Sequence, residues 1–269
     1  MPTGTDASVT APVSQRPAVP PERFRANVMV VVVDERGEVL LCQRNDREGW
    51  QCVQGGVEPD EDLAEAAARE VFEEAGLVAD GFDYAACEAA GALLPPPKKG
   101  KRAMRVDRSA AVVVDYKLRP VGELPLPEGT EPLRYRFPPG KCKAWVAEGI
   151  VGQEQRCFVF ATSASAKLRP RVDLSGFGGQ PREFIAADWH SCADTEGILR
   201  RVTAVKRDVF GRVCPLLADF FARATGAARA TDATHGSATS LSPAPTASPA
   251  HDAAVNDFVA KLRAVLSES

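Results

Sequence analysis

The sequence predicts an α/β domain, because strands of the buried type and long amphipathic helices occur along the same chain. Residues 27–33 form a β-branched apolar run, which is typical of a strand buried on both faces. Residues 61–75 are rich in alanine and glutamate and are bounded by helix start and stop signals. Residues 155–163 have the composition of a second buried strand, and residues 203–224 repeat apolar side chains at helical spacing.

Composition limits the classes of protein that the chain can belong to. It has 269 residues, and 45% are apolar, which is enough for a core in one domain or two. A formal net charge of -3 gives no overall attraction to nucleic acid, so such binding would need a local basic patch. Seven scattered cysteines without a C-x-x-C pair indicate reduced thiols, and neither a disulfide framework nor a zinc site.

Few features of the sequence bear on its compartment. No apolar stretch has the length of a membrane span, and the first residues lack the apolar core of a secretory signal. Together with the reduced thiols, these observations favour an intracellular, cytoplasmic protein. They leave the mitochondrion and the nucleus open.

The N-terminal part is predicted to contain a tail and a hairpin. Residues 1–22 are rich in Pro, Thr, Ser and Ala, and we expect a disordered tail there. The domain is expected to span residues 23–224. Within it, residues 34–37 have turn composition and residues 38–43 would form the partner of the first strand.

The loop and helix at residues 55–77 carry the densest pattern of charged residues. We expect Asp60 to cap the helix at its N-terminus and Gly76 to end it in a left-handed conformation. Three glutamates three and four positions apart share one helix face and repel one another: Glu70, Glu73 and Glu74. Their hard carboxylate oxygens suit Mg²⁺ or Mn²⁺, and a bound cation would relieve that repulsion.

Residues 94–131 are predicted to form an insertion in this domain. They contain too few apolar residues for a core of their own, which argues against a second domain. A basic run at residues 98–108 could track an RNA backbone or could be a solvated loop. One strand is expected inside the insertion, at residues 110–116.

The remaining elements of the domain have weaker patterns. Residues 82–86 alternate apolar side chains and are expected to form a strand, and another short strand would end near Trp189. We expect Pro215 to kink the helix at residues 203–224.

The C-terminal part is predicted to be a linker followed by a helix. Residues 225–252 are rich in Ala, Thr, Ser and Pro, which is typical of a disordered segment. Residues 253–269 place apolar side chains at helical spacing. That amphipathic helix could dock on the domain, or it could bind a protein partner or a second copy of the chain.

The acidic helix and the loop before it resemble a motif of a known family. The spacing of its fixed positions resembles the Nudix box: Gly55, five residues, Glu61, seven residues, and Arg69-Glu70-Val71-Phe72-Glu73-Glu74-Ala75-Gly76-Leu77. Further motifs resemble the group of RNA 5′-pyrophosphohydrolases and asymmetrical diadenosine tetraphosphate hydrolases: Phe24-Arg25-Ala26-Asn27-Val28, Trp50-Gln51-x-x-Gln54, Tyr135-x-Phe137-Pro138, Gly152-Gln153-x-Gln155, Pro181-x-Glu183-Phe184 and Lys206-Arg207-x-Val209-Phe210. The fold implied is an α/β/α sandwich around a mixed β-sheet.

The resemblance also implies roles for individual residues. Metal binding would involve the backbone of one glycine and four carboxylates, of which the last is a further ligand or the base: Gly55, Glu70, Glu73, Glu74 and Glu183. Glu61 and Arg69 would pair and hold the loop to the helix. Phosphates or bases would be contacted by Arg25, Arg44, Tyr135 and Lys206.

The chain departs from the family pattern near the substrate. Val205 stands where an aromatic residue that stacks on a base is common, which puts base binding at this position in doubt. Cys52-Val53 replaces the usual aromatic-Pro or Met-Pro, and Gly49 stands where a hydroxyl can occur. Trp50 and Trp145 are expected to be packing residues more than stacking platforms, although Trp50 is close enough to the site to do both.

Two functions from different classes follow. The first is a Mg²⁺- or Mn²⁺-dependent Nudix pyrophosphohydrolase that acts on triphosphorylated RNA 5′ ends or on dinucleoside polyphosphates. The second is a Nudix-fold scaffold that binds RNA or protein with little catalysis. Because every box glutamate is present, the sequence favours the hydrolase.

Overall fold

Nine strands and six α-helices are found in the described residues of the computed structural model, which are 22–91, 117–162, 170–177, 179–226 and 248–267. The strands are β1 (Arg23–Val33), β2 (Glu38–Arg44), β3 (Trp50–Gln51), β4 (Val53–Gly56), β5 (Val78–Ala79), β6 (Lys117–Glu123), β7 (Leu133–Arg136), β8 (Ile150–Ala161) and β9 (Phe184–Ser191). The helices are α1 (Leu63–Ala75), α2 (Tyr84–Gly91), α3 (Lys143–Ala147), α4 (Thr195–Arg201), α5 (Arg207–Thr225) and α6 (Pro249–Ser267). A 3₁₀ turn, Ala204–Lys206, leads into α5.

Strand β1 lies at the centre of one mixed sheet. It runs parallel to β8 and antiparallel to β2 and β4. The strand order is β3-β2-β1-β8-β6-β5, with β9 beside β2 and β7 beside β8. Because Phe184 of β9 pairs with Arg44 at the end of β2, the loop that carries Glu183 reaches the same edge of the sheet as the box.

Side chains on alternate positions of β1 divide the core into two layers. Val28, Val30 and Val32 pack with the alanine-rich face of α1. Met29, Val31 and Val33 point to the other face, where they pack with α5 and α6. This alternation follows from the two-residue period of a strand, and it buries β1 on both sides. The predicted α/β/α sandwich around a mixed sheet is therefore confirmed.

The ends of α1 differ from the prediction at one terminus only. Asp62, and not Asp60, is the N-cap, and its Oδ1 accepts a hydrogen bond of 2.8 Å from the Ala64 N–H. Asp60 instead adopts a positive φ of 63° in the preceding turn, a conformation that Asp tolerates better than most residues. Gly76 ends the helix in the left-handed region, as predicted, with φ 65°.

Several predicted boundaries are wrong or extended. The strands predicted at residues 27–33, 38–43 and 155–163 are present, and the first and last are longer than predicted. The strand expected at 82–86 is wrong, because residues from 84 onward form α2. The insertion predicted at 94–131 is too long, because β6 pairs with β8 and β5 inside the sheet. The strand expected at 110–116 and the basic run at 98–108 lie outside the described residues.

The helix predicted at residues 203–224 is present as a 3₁₀ turn followed by α5, and a further helix, α4, precedes it. Helix α4 was not predicted, and α5 continues through Pro215 up to a left-handed Gly226. The strand predicted to end near Trp189 is β9. None of the described helices is both long and apolar enough to cross a bilayer. All seven cysteines, which lie in the described part of the chain, are free thiols.

Helix α6 docks on the domain. It begins at Pro249, inside the stretch predicted to be linker, and its apolar face joins the α5 side of the core through Val255, Phe258, Val259, Leu262 and Val265. The Phe258 and Phe220 rings lie 5.3 Å apart, and Arg263 donates hydrogen bonds to the carbonyls of Ala224 and Arg223. The apolar face that a partner would need is therefore already buried in the domain.

Candidate active site

A cavity of about 540 Å³ opens beside α1 at the edge of the sheet. Its walls include all but one of the site residues that the sequence predicts: Arg25, Arg44, Gly55, Arg69, Glu70, Glu73, Glu74, Tyr135, Glu183 and Lys206. The exception is Glu61, which lies behind Arg69. A cavity of this size suits a nucleotide-sized ligand.

The three glutamates of α1 are buried together on the cavity side of the helix. Glu70, Glu73 and Glu74 are only 6–8% exposed. Burial raises the pKa of Glu70, against the opposing effect of Arg69. Burial and the neighbouring Glu70 raise the pKa of Glu73 to about 7. Burial thus disfavours the charged forms of both carboxyl groups, and neighbouring carboxylates add to that effect.

Glu74 and Glu183 meet across the cavity. Burial, the Glu183 carboxylate and the Glu70 carboxylate raise the pKa of Glu74 well above its ordinary value. The N–H of Gln54 donates a hydrogen bond of 3.0 Å to Glu74 Oε2, which fixes one oxygen of this carboxylate. A carboxylate whose pKa is raised by burial and like charges is a stronger base in its ionised form, and is therefore suited to take up a proton.

Arg69 ties the loop before α1 to the helix. Its Nε and Nη2 donate hydrogen bonds of 2.7 and 2.9 Å to the two oxygens of Glu61, and Nη2 also donates to the Gly56 carbonyl. Its Nη1 lies 2.8 Å from Glu70 and 3.3 Å from Glu73. One guanidinium therefore fixes the loop through a bidentate pair and partly neutralises the acidic cluster.

Two glycines of β4 let charged side chains lie against the backbone. A Cβ added at Gly55 would overlap the carboxylate of Glu70, and one added at Gly56 would overlap the guanidinium of Arg25. Because successive residues of a strand face opposite sides, Gly55 faces the acidic helix and Gly56 faces the basic side. No larger residue leaves room for either contact.

The opposite wall of the cavity carries cations. Arg44 lies 3.0 Å from Asp46 and remains partly exposed. Lys206 is only 4% exposed, and burial together with the nearby Arg44 lowers its pKa to about 7. Its Nζ donates hydrogen bonds to the side-chain oxygens of Gln51 and Gln54, the latter at 2.6 Å.

Sequence reasoning missed the amide side chains that hold Lys206 in place. Gln155 Nε2 donates to the oxygens of Gln54 and Asn27, at 2.8 and 2.9 Å, and extends the network into the sheet. Tyr135 donates its hydroxyl to Gln153. The sequence contained a sign of this network, because polar amides at inward positions of buried strands need hydrogen-bond partners. It did not identify Lys206 as a partner, because Lys206 is distant from these amides in sequence.

Comparison with known proteins finds a matching family model and curated relatives. Residues 23–139 match the family model described as NUDIX domain. The RNA pyrophosphohydrolase of Pseudomonas putida (strain GB-1) is 28% identical over 200 residues, covering 74% of this chain and 95% of the relative. The RNA pyrophosphohydrolase of Pseudomonas fluorescens (strain SBW25) is 27% identical over the same length and coverage.

Solved structures give a weaker likeness. A C. elegans Ap4A hydrolase in a binary complex is 16% identical, with a TM-score of 0.40, covering 76% of this chain and 99% of that one. A likeness at this TM-score carries no weight for function. The family match over residues 23–139 and the RNA pyrophosphohydrolase relatives show that the chain contains a NUDIX domain and is similar to hydrolases that act on pyrophosphate bonds.

Proposed function

We propose that the protein is a Mg²⁺- or Mn²⁺-dependent pyrophosphohydrolase that removes pyrophosphate from triphosphorylated RNA 5′ ends. One observation carries the proposal: four carboxylates face Arg25, Arg44 and Lys206 across a single cavity of nucleotide size. The choice of RNA is supported by the RNA pyrophosphohydrolases, which align over 200 residues of this chain. Dinucleoside polyphosphates are the competing substrate class.

The acidic cluster fits a divalent cation by the chemistry of its donors. Its oxygens are hard ligands, and burial, together with neighbouring carboxylates, raises the pKa values of Glu70, Glu73 and Glu74 despite Arg69, so a bound cation would favour their charged forms. Arg69 pairs with Glu70 and Glu73, and within the described part of the chain no three acidic, His or Cys side chains form a ready ligand set. We propose that the ions are held by the Gly55 carbonyl, Glu70, Glu73, Glu74 and Glu183.

The basic wall would bind and orient the polyphosphate. Lys206 is fixed by two amide oxygens, so its remaining N–H can be directed at a phosphate oxygen without loss of side-chain entropy. Arg44, which lies near Lys206, adds a second donor on the same wall. Bound Mg²⁺ would supply the positive charge that stabilises the phosphoryl oxygens during in-line attack by water.

The carboxylates would manage the proton of the attacking water. Glu183 and Glu74 interact directly, and their mutual repulsion makes a proton shared between them favourable. We therefore infer that this pair, and no histidine, accepts the proton. His190, on β9, is oriented towards Trp50, with ring centroids 6.0 Å apart, and is not among the cavity residues.

The scaffold alternative has less support. Three carboxylates buried side by side weaken the fold, so a protein without need of them would gain stability by losing one. The apolar face of α6, which a scaffold could have offered to a partner, packs against α5.

The test is a side-by-side assay of pyrophosphate or phosphate release from triphosphorylated RNA and from diadenosine tetraphosphate, with and without Mg²⁺. We expect metal-dependent turnover of the RNA and a loss of at least about 100-fold in the Glu74→Gln variant. Glu65→Gln is the matched control, since Glu65 lies exposed in the first turn of the same helix. Preference for the dinucleotide would overturn the RNA assignment, and no turnover of either would overturn the hydrolase assignment for these substrates.

A further inference from the structure

We propose that Tyr135 is a positioning residue that acts on the substrate through Lys206, with its aromatic ring and not with its hydroxyl. The inference deepens the proposed function and rests on it, because Lys206 belongs to the basic wall that would bind the polyphosphate. The family resemblance implies a different role for Tyr135, namely a direct contact with phosphates or bases. The two roles make opposite demands on the hydroxyl, which can therefore be tested separately from the ring.

The hydroxyl of Tyr135 is already engaged inside the sheet. Tyr135 on β7 is paired directly with Gln153 on β8 in the antiparallel register, so the two side chains share one face of the sheet. The hydroxyl donates its one proton to Gln153 Oε1. Gln153 is only 7% exposed, so water has little access to this oxygen. A phosphate oxygen could accept a hydrogen bond from Tyr135 only if the buried Gln153 lost one, which is unfavourable.

The ring of Tyr135 lies against the ammonium group of Lys206. Lys206 Nζ is 5.2 Å from the ring centroid, which is a cation–π distance. Phe137 packs on the same ring in an edge arrangement, with centroids 6.4 Å apart and planes inclined by 79°. The contact with Phe137 and the hydrogen bond of the hydroxyl together fix the ring beside the ammonium group.

Lys206 carries a buried charge that few contacts compensate. It is 4% exposed, and burial together with the nearby Arg44 lowers its pKa to about 7. Within the residues that the structure describes, its ammonium group contacts the neutral amide oxygens of Gln51 and Gln54 and the ring of Tyr135, and no carboxylate lies at ion-pair distance. The negative face of the ring therefore favours both the charged form of the lysine and its present position.

The arrangement predicts how loss of the ring would affect the reaction. Tyr135 and Lys206 both line the cavity, and the lysine is the member of this pair that has a donor left for a phosphate oxygen. Without the ring, the ammonium group would be less well placed and less often charged. Because a phosphate contact of this kind stabilises the bound substrate and the transition state alike, the loss should be seen in KM more than in kcat.

The test compares Tyr135→Phe, which keeps the ring and removes the hydroxyl, with Tyr135→Leu, which removes the ring. Both are assayed on a 5′-triphosphorylated RNA dinucleotide with Mg²⁺. We expect Tyr135→Phe to keep KM and kcat within about twofold, and Tyr135→Leu to raise KM about tenfold with little change in kcat. Arg134→Lys is the matched control, because Arg134 is exposed on the same strand and does not line the cavity. It should leave both constants unchanged.

A double-mutant cycle with Lys206→Met shows whether Tyr135 acts through the lysine. We expect Tyr135→Leu to lower kcat/KM about tenfold in the wild-type protein and by less than about twofold in the Lys206→Met background. An undiminished further loss in that background would overturn the inference, since Tyr135 would then act on the substrate without the lysine.

The other outcomes separate the inference from the proposed function. An equal rise of KM in Tyr135→Phe and Tyr135→Leu would overturn the inference, because the hydroxyl would then be the group that matters. An unchanged KM in Tyr135→Leu would overturn it as well, and in both cases an active wild-type protein would leave the proposed function standing. Wild-type protein that does not turn over the RNA would refute the proposed function itself. An unchanged kcat in Tyr135→Leu shows that the variant is folded.

Discussion

The absence of one side chain at Gly55 decides how close the acidic cluster can come to the sheet. Glu70 lies where a Cβ at position 55 would be, so the carboxylate reaches the backbone of β4 only because this residue is glycine. Gly55 has no positive φ, so its requirement is for space and not for an unusual backbone conformation.

We expect Gly55→Ala to displace Glu70 and to lower kcat at least about tenfold, since a misplacement of about 1 Å at a reaction centre costs that much or more. Steady-state kinetics and thermal melts would be measured together. Gly211→Ala is the matched control, because a Cβ there meets nothing within 4 Å and the residue lies inside α5. That control should leave activity unchanged and add up to about 1 kcal/mol of stability. An active Gly55→Ala enzyme would contradict the predicted crowding.

Among the elements, α6 shows that a helix separated from the rest of the domain by a long stretch of sequence can still be part of its core. It follows a stretch outside the described residues, yet it contributes five side chains to the core on the α5 side. Its apolar spacing made the helix predictable, whereas its docking partner was not, because helical periodicity identifies an apolar face without saying what covers it.

We expect Leu262→Ala to destabilise the whole domain by about 2–5 kcal/mol, because Leu262 is 2% exposed in the shared core. Urea unfolding with a single transition would measure the loss. Lys261→Ala, which removes only an exposed pair with Asp257, is the control and should cost less than about 0.5 kcal/mol. If α6 unfolded in a separate, earlier transition, the docking would be too weak to make it part of the domain.

Features that depend on neighbouring residues could be predicted from the sequence, whereas features that depend on contacts between distant residues could not. The run at 27–33 and the stop at Gly76 were predictable, because periodicity and a left-handed glycine are local. The prediction of a strand at 82–86 was wrong. The apolar side chain of Phe82 packs in a cluster with Phe72 and Phe177, and the chain there forms a turn followed by the start of α2. In the site, the box spacing placed the glutamates on one face, but the burial of Lys206 between two amides depends on contact with residues 152 and 155 positions earlier in the chain.

At the scale of the whole molecule, the charge buried in the site couples stability to pH. The pKa of Glu73 is about 7 in the folded protein, above its ordinary value, so the folded state binds more protons than the unfolded state between about pH 5 and pH 7. Stability therefore falls as pH rises through this window. Lys206, whose pKa is lowered to about 7, begins to lose its proton in the folded state near the upper end of this window, and there it partly offsets the effect of Glu73.

We expect the free energy of unfolding without divalent cations to fall from about pH 5 to about pH 7, and to fall less in Glu73→Gln. Urea titrations of both proteins at both pH values would measure it. Added Mg²⁺ should restore stability at the higher pH, by about 2.7 kcal/mol at a hundredfold excess over Kd, and should do so less in the variant. Parallel pH profiles for the two proteins would contradict the role assigned to Glu73.

The consecutive glycines of β4 have a consequence for how salt acts on the enzyme. Gly55 faces carboxylates and Gly56 faces a guanidinium, so a partition one backbone thick separates regions of opposite electric potential. That separation is shorter than the screening length of about 8 Å at physiological ionic strength. Added salt should therefore weaken the long-range capture of a charged substrate while leaving the local field that orients its phosphates nearly intact.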